Sequence, residues 1–284
     1  MQHYLLYRAY GDLHYIDECR YSLLKYLSVY NLKPPANITV VVYTDKPALF
    51  EAFEPFFHYF EIKEMPAKAL RKNSDSAKID FIKDFVLEHN GNTIYCNSDT
   101  YFTQPVTEAF EGIEKGNFYF FGKEKASARI KEYLVQNPIR IKGQPISYPD
   151  SAHFFSTEMV GINNKAAGFL PDASLLYANL HKQFGRRLAE QFALNYYLKN
   201  ASVETLQGKA FSYHNLSEFK TLLQLFFKKN EEESIPNLIK LTHHLDAATI
   251  KKDRDRYIGL PFYKKLLRSL TGKRWSIRQY QNKL

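Results

Sequence analysis

The chain has 284 residues, of which 45% are hydrophobic and 24% charged, so it can bury a full core and is neither disordered nor fibrous. Its net charge of +9 is that of residues 250–284, which contain eleven Lys or Arg and two Asp. The neutral remainder argues against a protein that binds nucleic acid. The sequence has two cysteines, Cys19 and Cys96, which are too few for a fold held together by disulfides. No apolar run is long enough to span a bilayer, so we expect a cytoplasmic protein.

The first half of the sequence alternates strand and helix patterns. Strands are predicted at 4–10, 38–43, 59–62 and 93–96, and helices at 17–30, 47–57 and 76–89. The run at 38–43 is rich in β-branched residues, and the helix at 76–89 has apolar residues at helical spacing. This alternation predicts an α/β fold with a mostly parallel central sheet covered by helices.

The second half is less regular. Strands are predicted at 117–121 and 153–162, and helices at 125–135, 188–198, 217–229 and 235–252. Residues 138–151 contain three Pro and one Gly, which indicates a loop or lid. Residues 262–270 form a short amphipathic pattern with apolar residues on one face and Lys264, Lys265 and Arg268 on the other.

Oxygen-bearing side chains follow the predicted buried strand 93–96. They are Asn97, Ser98 and Asp99. The carboxyl end of such a strand is where an open α/β sheet presents its ligand-binding groups. Oxygen ligands at that position suit a hard divalent cation, which in turn suits a diphosphate. The alternative is an ordinary turn, because these residue types also favour turns.

Five segments, in order, resemble the nucleotide-diphospho-sugar transferases of the GT-A fold, especially the retaining family-8-type galactosyl- and glucosyltransferases. The segments are 40–45 (VVVYTD), 77–80 (AKID), 97–99 (NSD), 190–195 (EQFALN) and 213–215 (YHN). The resemblance covers roughly residues 1–220. It implies a Rossmann-like GT-A domain at 1–220 and a helical, basic C-terminal extension at 221–284.

The resemblance also implies roles for particular residues. Asp99, His214 and Asn97 would hold Mn²⁺ or Mg²⁺, and a UDP-sugar donor would be bound by Tyr10, Asp45, Lys78, Asn97, Ser98 and Asp99. Gln191, Glu190 and Glu158 would be the catalytic residues. A divalent ion bridging two phosphates would act as a Lewis acid and a template for the leaving diphosphate.

Two positions depart from the pattern of these transferases. Asn97 stands where they have aspartate, which removes one negative charge from the metal site. Ser156 and Glu158 stand where they usually show Asn-x-Gly, so Glu158 is either a catalytic or acceptor-binding carboxylate or a paired structural one.

Other candidate residues have ordinary alternatives. Lys78 could lie on a solvated helix face, and Glu190 and Gln191 could form an exposed helix turn. Thr44 and Asp45 could cap a helix before Pro47, and the pair Arg186 and Arg187 could be surface charge at a helix start.

The sequence therefore predicts a metal-dependent, retaining glycosyltransferase that moves a hexose from a UDP-sugar to a glycan or lipid-linked acceptor, as in cell-envelope polysaccharide synthesis. The alternative is a sugar-nucleotide-binding protein with weak or no activity, which Asn97 would suit. A nucleotidyltransferase would need a Gly-rich loop after the first strand, and Tyr10, Gly11 and Asp12 do not provide one. For the basic tail, the hypotheses are peripheral contact with an anionic membrane at the inner face, or a helix packed on the domain.

Overall fold

The computed structural model describes residues 1–65, 78–125, 127–148, 153–214 and 216–281. The strands are β1 (His3–Ala9), β2 (Ile38–Thr44), β3 (Tyr59–Glu64), β4 (Asn92–Cys96), β5 (Thr100–Phe102), β6 (Phe118–Glu124), β7 (Arg140–Ile141), β8 (Gln144–Pro145), β9 (Phe154–Asn163), β10 (Val203–Thr205) and β11 (Ala210–Ser212). The α-helices are α1 (Leu13–Val29), α2 (Lys78–Glu88), α3 (Thr107–Glu114), α4 (Ala128–Gln136), α5 (Leu170–Phe184), α6 (Arg186–Leu198), α7 (Ser217–Lys229), α8 (Ile235–Thr242), α9 (Ala247–Ile258), α10 (Phe262–Leu270) and α11 (Arg278–Gln281).

The largest sheet within the described residues has seven strands in the order β10-β6-β9-β4-β1-β2-β3. Strands β3, β2, β1 and β4 are mutually parallel, and β10 is parallel to β6. Strand β9 runs antiparallel to both of its neighbours, β4 and β6. The predicted α/β class is confirmed, because a mainly parallel central sheet is flanked by helices on both faces.

Each central strand contributes side chains to two separate cores, one on each face of the sheet. In β1, Leu5 belongs to one core and Leu6 to the other, and in β2 Val40 and Val41 alternate in the same way. Helices α1, α3, α7 and α8 cover the first face, which we call the α1 face, and α2, α5 and α6 cover the second. Burial on both faces explains why β2 is an almost unbroken β-branched run.

Three predicted elements differ from the structure. The predicted helix at 47–57 is wrong, because two 3₁₀ helices (Pro47–Leu49 and Glu51–Phe56) occupy it, the second containing Pro55. The single helix predicted at 235–252 is wrong as well: α8 ends at Thr242, and Asp246 begins α9 by accepting a hydrogen bond from the Ala248 amide at 3.0 Å. The predicted loop 138–151 contains the short β7–β8 hairpin, and its residues 149–151 lie outside the described ranges.

The helices after residue 216 pack mainly on the α1 face. Side chains of α7 and α8 share its core with α1, and the Tyr21 hydroxyl donates to the Leu245 carbonyl at 2.6 Å. None of the nine residues of α10 is buried. The domain boundary at residue 220 stays a prediction. Across the described ranges, no helix has the length and apolar character that crossing a membrane requires.

Candidate functional site

A cavity of about 520 Å³ opens at the carboxyl ends of β1 and β4, and we call it the strand-end cavity. The residues that line it come from the end of β1 and the start of α1, from the link between β4 and β5, and from the starts of α6 and α7. They are Arg8, Tyr10, Gly11, Asp12, Tyr15, Glu18, Tyr95, Asn97, Ser98, Asp99, Arg186 and Lys220. Both its position at the parallel strand ends and its size suit a small-molecule site.

The link between β4 and β5 is a tight turn that presents Ser98 and Asp99 to this cavity. The Asn97 carbonyl accepts hydrogen bonds from the Thr100 amide at 3.1 Å and from the Thr100 hydroxyl at 2.6 Å. The Asp99 carbonyl accepts from the Tyr213 amide at 3.1 Å. This last bond brings the predicted Asp99 and His214 segments, which are far apart in sequence, side by side.

Asp99 is a half-buried residue, and one oxygen of its carboxylate has unused hydrogen-bonding capacity. Its Oδ1 atom is inaccessible to water and has no hydrogen-bond partner. Burial raises the pKa of Asp99 to about 6, the nearby Glu158 carboxylate adds to the rise, and Lys220 and Lys78 oppose it. Asp99 as a whole is half-buried and lines the cavity, so its carboxylate is suited to accept a hydrogen bond from a bound hydroxyl.

Glu158 is the centre of a polar cluster beside the strand-end cavity. Its side chain is 6% exposed, and its Oε1 atom accepts from Arg187 Nη2 at 2.8 Å. Its Oε2 atom accepts from the Asn97 amide nitrogen. His214 Nδ1 lies 3.8 Å from the same Oε1, and His214 Nε2 lies 3.3 Å from Arg187 Nη2. We call these four side chains the Glu158 cluster.

His214 has a contact at each ring nitrogen. Ser212 Oγ lies 2.9 Å from Nδ1, and Arg187 faces Nε2. Burial lowers the pKa of His214, the Glu158 carboxylate opposes this, and the Arg187 charge lowers the pKa further. A neutral imidazole is therefore favoured.

Lys78 is buried and engaged with the strand that carries Glu158. Its Nζ atom donates to the Thr157 carbonyl at 2.7 Å and lies 3.0 Å from the Thr157 hydroxyl. Its backbone amide donates to a Glu190 carboxylate oxygen. Burial lowers the pKa of Lys78, and the Glu190 and Glu158 charges oppose that effect. The alternative of a solvated helix face is wrong for this residue, which is 9% exposed.

The neighbouring residues of α6 are buried too. Glu190 and Gln191 are each 6% exposed, so the alternative of an exposed helix turn is wrong. Gln191 Nε2 donates to Glu124 at 2.7 Å and to the Phe155 carbonyl at 3.0 Å. The Gln191 amide therefore joins α6 to β6 and β9, and does not line the strand-end cavity.

Tyr10 directly follows β1, and Asp45 directly follows β2. Asp45 Oδ1 accepts from the Gly11 amide at 3.2 Å, so the side chain ties the end of β2 to the loop that lines the cavity. Asp45 does not cap the following 3₁₀ helix, since Lys46 holds its cap position, whereas Thr44 Oγ1 accepts from the Lys46 amide at 3.1 Å. The flanking Ala77 and Asn215 of two quoted segments lie outside the described residues.

The sequence patterns missed Glu18, Arg8, Arg186 and Lys220 as cavity residues. Glu18 on α1 is fully buried, neither of its carboxylate oxygens makes a hydrogen bond, and Lys220 Nζ lies 3.4 Å away. Burial raises the pKa of Glu18 to about 8, while Lys220 opposes the rise. The sequence carried little signal for this role, because Glu18 lies between Asp17 and Arg20 in α1 and so looks like part of a charged helix surface.

The predicted metal ligands Asp99, Asn97 and His214 do not fit a metal shell as they stand. No cluster of three or more His, Cys, Asp or Glu side chains able to hold a metal ion occurs among the residues described. Arg187 faces His214 Nε2 and bonds to Glu158, and the Asn97 amide nitrogen is directed to Glu158. A cation at this position would meet the guanidinium, so we derive no step through a metal ion.

Comparisons with known proteins find similarity among solved structures and none among sequences. Neither a protein-family model nor a curated protein sequence matches the chain. The crystal structure of mouse xyloside xylosyltransferase 1 in its apo form is similar to 72% of this chain and 85% of its own, with 12% identity and a TM-score of 0.45. At these values the similarity assigns neither an activity nor a substrate.

Proposed function

We propose that this protein is a glycosyltransferase that binds a nucleoside diphosphate sugar, a UDP-sugar, in the strand-end cavity and transfers the hexose to a glycan or lipid-linked acceptor. The observation that carries the proposal is the cavity itself. It lies at the carboxyl edge of β1 and β4 and combines cationic side chains with the half-buried carboxylate of Asp99. Cations suit the diphosphate, and the carboxylate oxygen suits a donor hydroxyl.

The transfer needs charge stabilisation on the leaving group. The bond between the anomeric carbon and the diphosphate oxygen breaks, and its electron pair leaves with the diphosphate. The acceptor hydroxyl oxygen forms the new bond to that carbon and gives its proton to a base. Arg8, Arg186 and Lys220 line the cavity, where positioned positive charge stabilises the developing diphosphate anion more effectively than water would. The retaining outcome rests on the resemblance of Glu190 and Gln191 to residues of the retaining transferases.

A panel of UDP-, GDP- and CDP-sugars tests this proposal through the melting temperature and the release of free nucleoside diphosphate. A ligand at 100 times its Kd stabilises the folded state by about 2.7 kcal/mol. We expect a UDP-sugar to raise the melting temperature, and Asp99→Asn to reduce both that shift and UDP release. The matched control Asp84→Asn changes an exposed carboxylate on α2 and should behave as the wild type. If no nucleotide sugar shifts the transition, the proposal is wrong.

The alternative function is binding of a sugar nucleotide without transfer. The observation that favours it is Asn97, whose amide donates to Glu158 where the resembled transferases carry an aspartate. The same panel distinguishes the two. A binding protein would show the thermal shift with every acceptor tested but would release no UDP above the uncatalysed rate.

We also propose that α10 brings the protein to an anionic membrane surface, where a lipid-linked acceptor would lie. Its apolar residues are exposed: Phe262 is 80% exposed and Leu270 76%. Lys264, Lys265 and Arg268 are on the same short helix. A cationic helix with an exposed apolar face complements an anionic lipid surface, and each basic residue contributes about 1 kcal/mol there.

Vesicle sedimentation tests the membrane proposal. The protein should bind vesicles containing phosphatidylserine, bind pure phosphatidylcholine vesicles less, and be released by salt. The double change Leu266→Asp, Leu267→Asp should abolish this binding and leave the melting temperature unchanged, since both side chains are exposed. Leu87→Asp, at an exposed leucine on α2, is the matched control. Equal binding of the α10 variant and the wild type would rule the proposal out.

A further inference from the structure

Arg187 stands between two groups that would otherwise be free to bind a cation. A single nitrogen of its guanidinium, Nη2, lies 2.8 Å from Glu158 Oε1 and 3.3 Å from His214 Nε2. The carboxylate it contacts is 6% exposed, so this positive charge meets a largely desolvated partner. At 2.8 Å the contact has the length of a charge-assisted hydrogen bond.

The other buried carboxylates near the site also have protein cations beside them. Lys220 Nζ lies 3.4 Å from Glu18, and the charges of Lys220 and Lys78 both act on Asp99. Lys78 Nζ is held in place by the two oxygen atoms of Thr157. The acidic side chains at this edge of the sheet thus have basic side chains of the same chain as neighbours.

The strand-end cavity and the Glu158 cluster are directly connected. Asn97 lines the cavity and donates to Glu158, which in turn accepts from Arg187. Arg186, the residue before Arg187, lines the cavity as well. The start of α6 therefore supplies one arginine to the cavity and one to the cluster.

We propose that Arg187 takes the place of a divalent cation, so that this chain neutralises a bound diphosphate with its own arginine and lysine side chains and without a metal ion. The inference rests on the proposed function for the identity of its ligand. An arginine side chain cannot be removed by a chelator, and its planar guanidinium matches the geometry of phosphate oxygens. A guanidinium carries a charge of +1 where a divalent ion carries +2, so several basic side chains have to act together.

Binding of Mn²⁺ to the protein alone tests the position of Arg187, independently of any donor. The amplitude of the free Mn²⁺ signal in electron paramagnetic resonance measures the binding. We expect Arg187→Ala to bind Mn²⁺ at least about tenfold more tightly than the wild type, because the change removes a positive charge and uncovers His214 Nε2 and Glu158. Arg187→Lys keeps the charge and should resemble the wild type. Lys182→Ala, which removes an exposed cation from α5, is the matched control.

Measuring UDP binding in EDTA and in Mn²⁺ tests whether the protein neutralises the diphosphate without a metal ion. The wild type should bind UDP equally well in both, whereas Arg187→Ala should bind it at least about tenfold more weakly in EDTA and recover in Mn²⁺. Loss of wild-type UDP binding in EDTA, or Mn²⁺ binding by the wild type as tight as by Arg187→Ala, would overturn the inference and leave the proposed function intact. Absence of UDP binding under both conditions would refute the proposed function, and the Mn²⁺ comparison would still decide the role of Arg187.

Discussion

Replacement of Glu18 by Gln should change how stability depends on pH. The Glu18 side chain is fully buried, and burial raises its pKa from 4.5 to about 8. Between these two values the folded protein keeps a proton that the unfolded chain releases. Wild-type stability therefore falls as pH rises through this window, by at most about 1.4 kcal/mol per pH unit. Glutamine has no proton to lose, so the variant lacks this contribution.

The magnitude follows from the width of the window. Between about pH 5 and pH 8, the free energy of unfolding of the wild type should fall by about 2–4 kcal/mol more than that of Glu18→Gln. Urea unfolding at each pH, with equal m-values for both proteins, measures the difference. The exposed Glu232→Gln is the control and should follow the wild type. If the free energies of unfolding of Glu18→Gln and the wild type changed in parallel with pH, the reasoning would be refuted. Glu18 would then have the same pKa in the folded and the unfolded protein.

Three further predictions concern stability and are measured by urea unfolding. Gly161→Ala should cost about 1–3 kcal/mol, because the new Cβ would lie 2.8 Å from two side-chain carbons, whereas Gly168→Ala has open space and should be neutral. Asn195→Leu should cost about 1–3 kcal/mol or more, since this amide bonds both the N–H and the C=O of one residue in β9; an unchanged midpoint would contradict this. Tyr21→Phe leaves the Leu245 carbonyl unpaired and should cost about 1–3 kcal/mol in one cooperative transition, and two transitions would show that the C-terminal helices unfold separately.

The sequence predicted the part of the site that lies on the parallel strands. Local patterns located β1, β2 and β4, and in a parallel sheet the carboxyl ends of such strands meet at one edge. The approach of the Asp99 segment to the His214 segment followed from the family resemblance, and it needed the antiparallel β5–β11 pair, which three-residue strands do not reveal in sequence. Short strands carry too little periodicity to be recognised.

The contacts of Arg187 could not be predicted from sequence. As one of two arginines at a helix start, its pattern is that of surface charge, and its side chain is indeed 60% exposed. Its contact with Glu158 depends on how α6 packs against β9, which is a tertiary property. Glu18 is similar: burial of an acid on α1 depends on α7, whose Lys220 lies just over 200 residues later in the sequence. Helix periodicity gives the face of a helix but not the partner that covers it.

The shared core of α1 with α7 and α8 has a consequence for synthesis of the protein. Leu23 and Leu27 leave the ribosome early, yet Phe219 and Leu222, which belong to the same core, are translated roughly 190 residues later. At ordinary elongation rates that interval lasts about 10–40 s. During this time the nascent chain carries an uncovered apolar helix, so a chaperone that holds the α1 face would raise the yield of native protein.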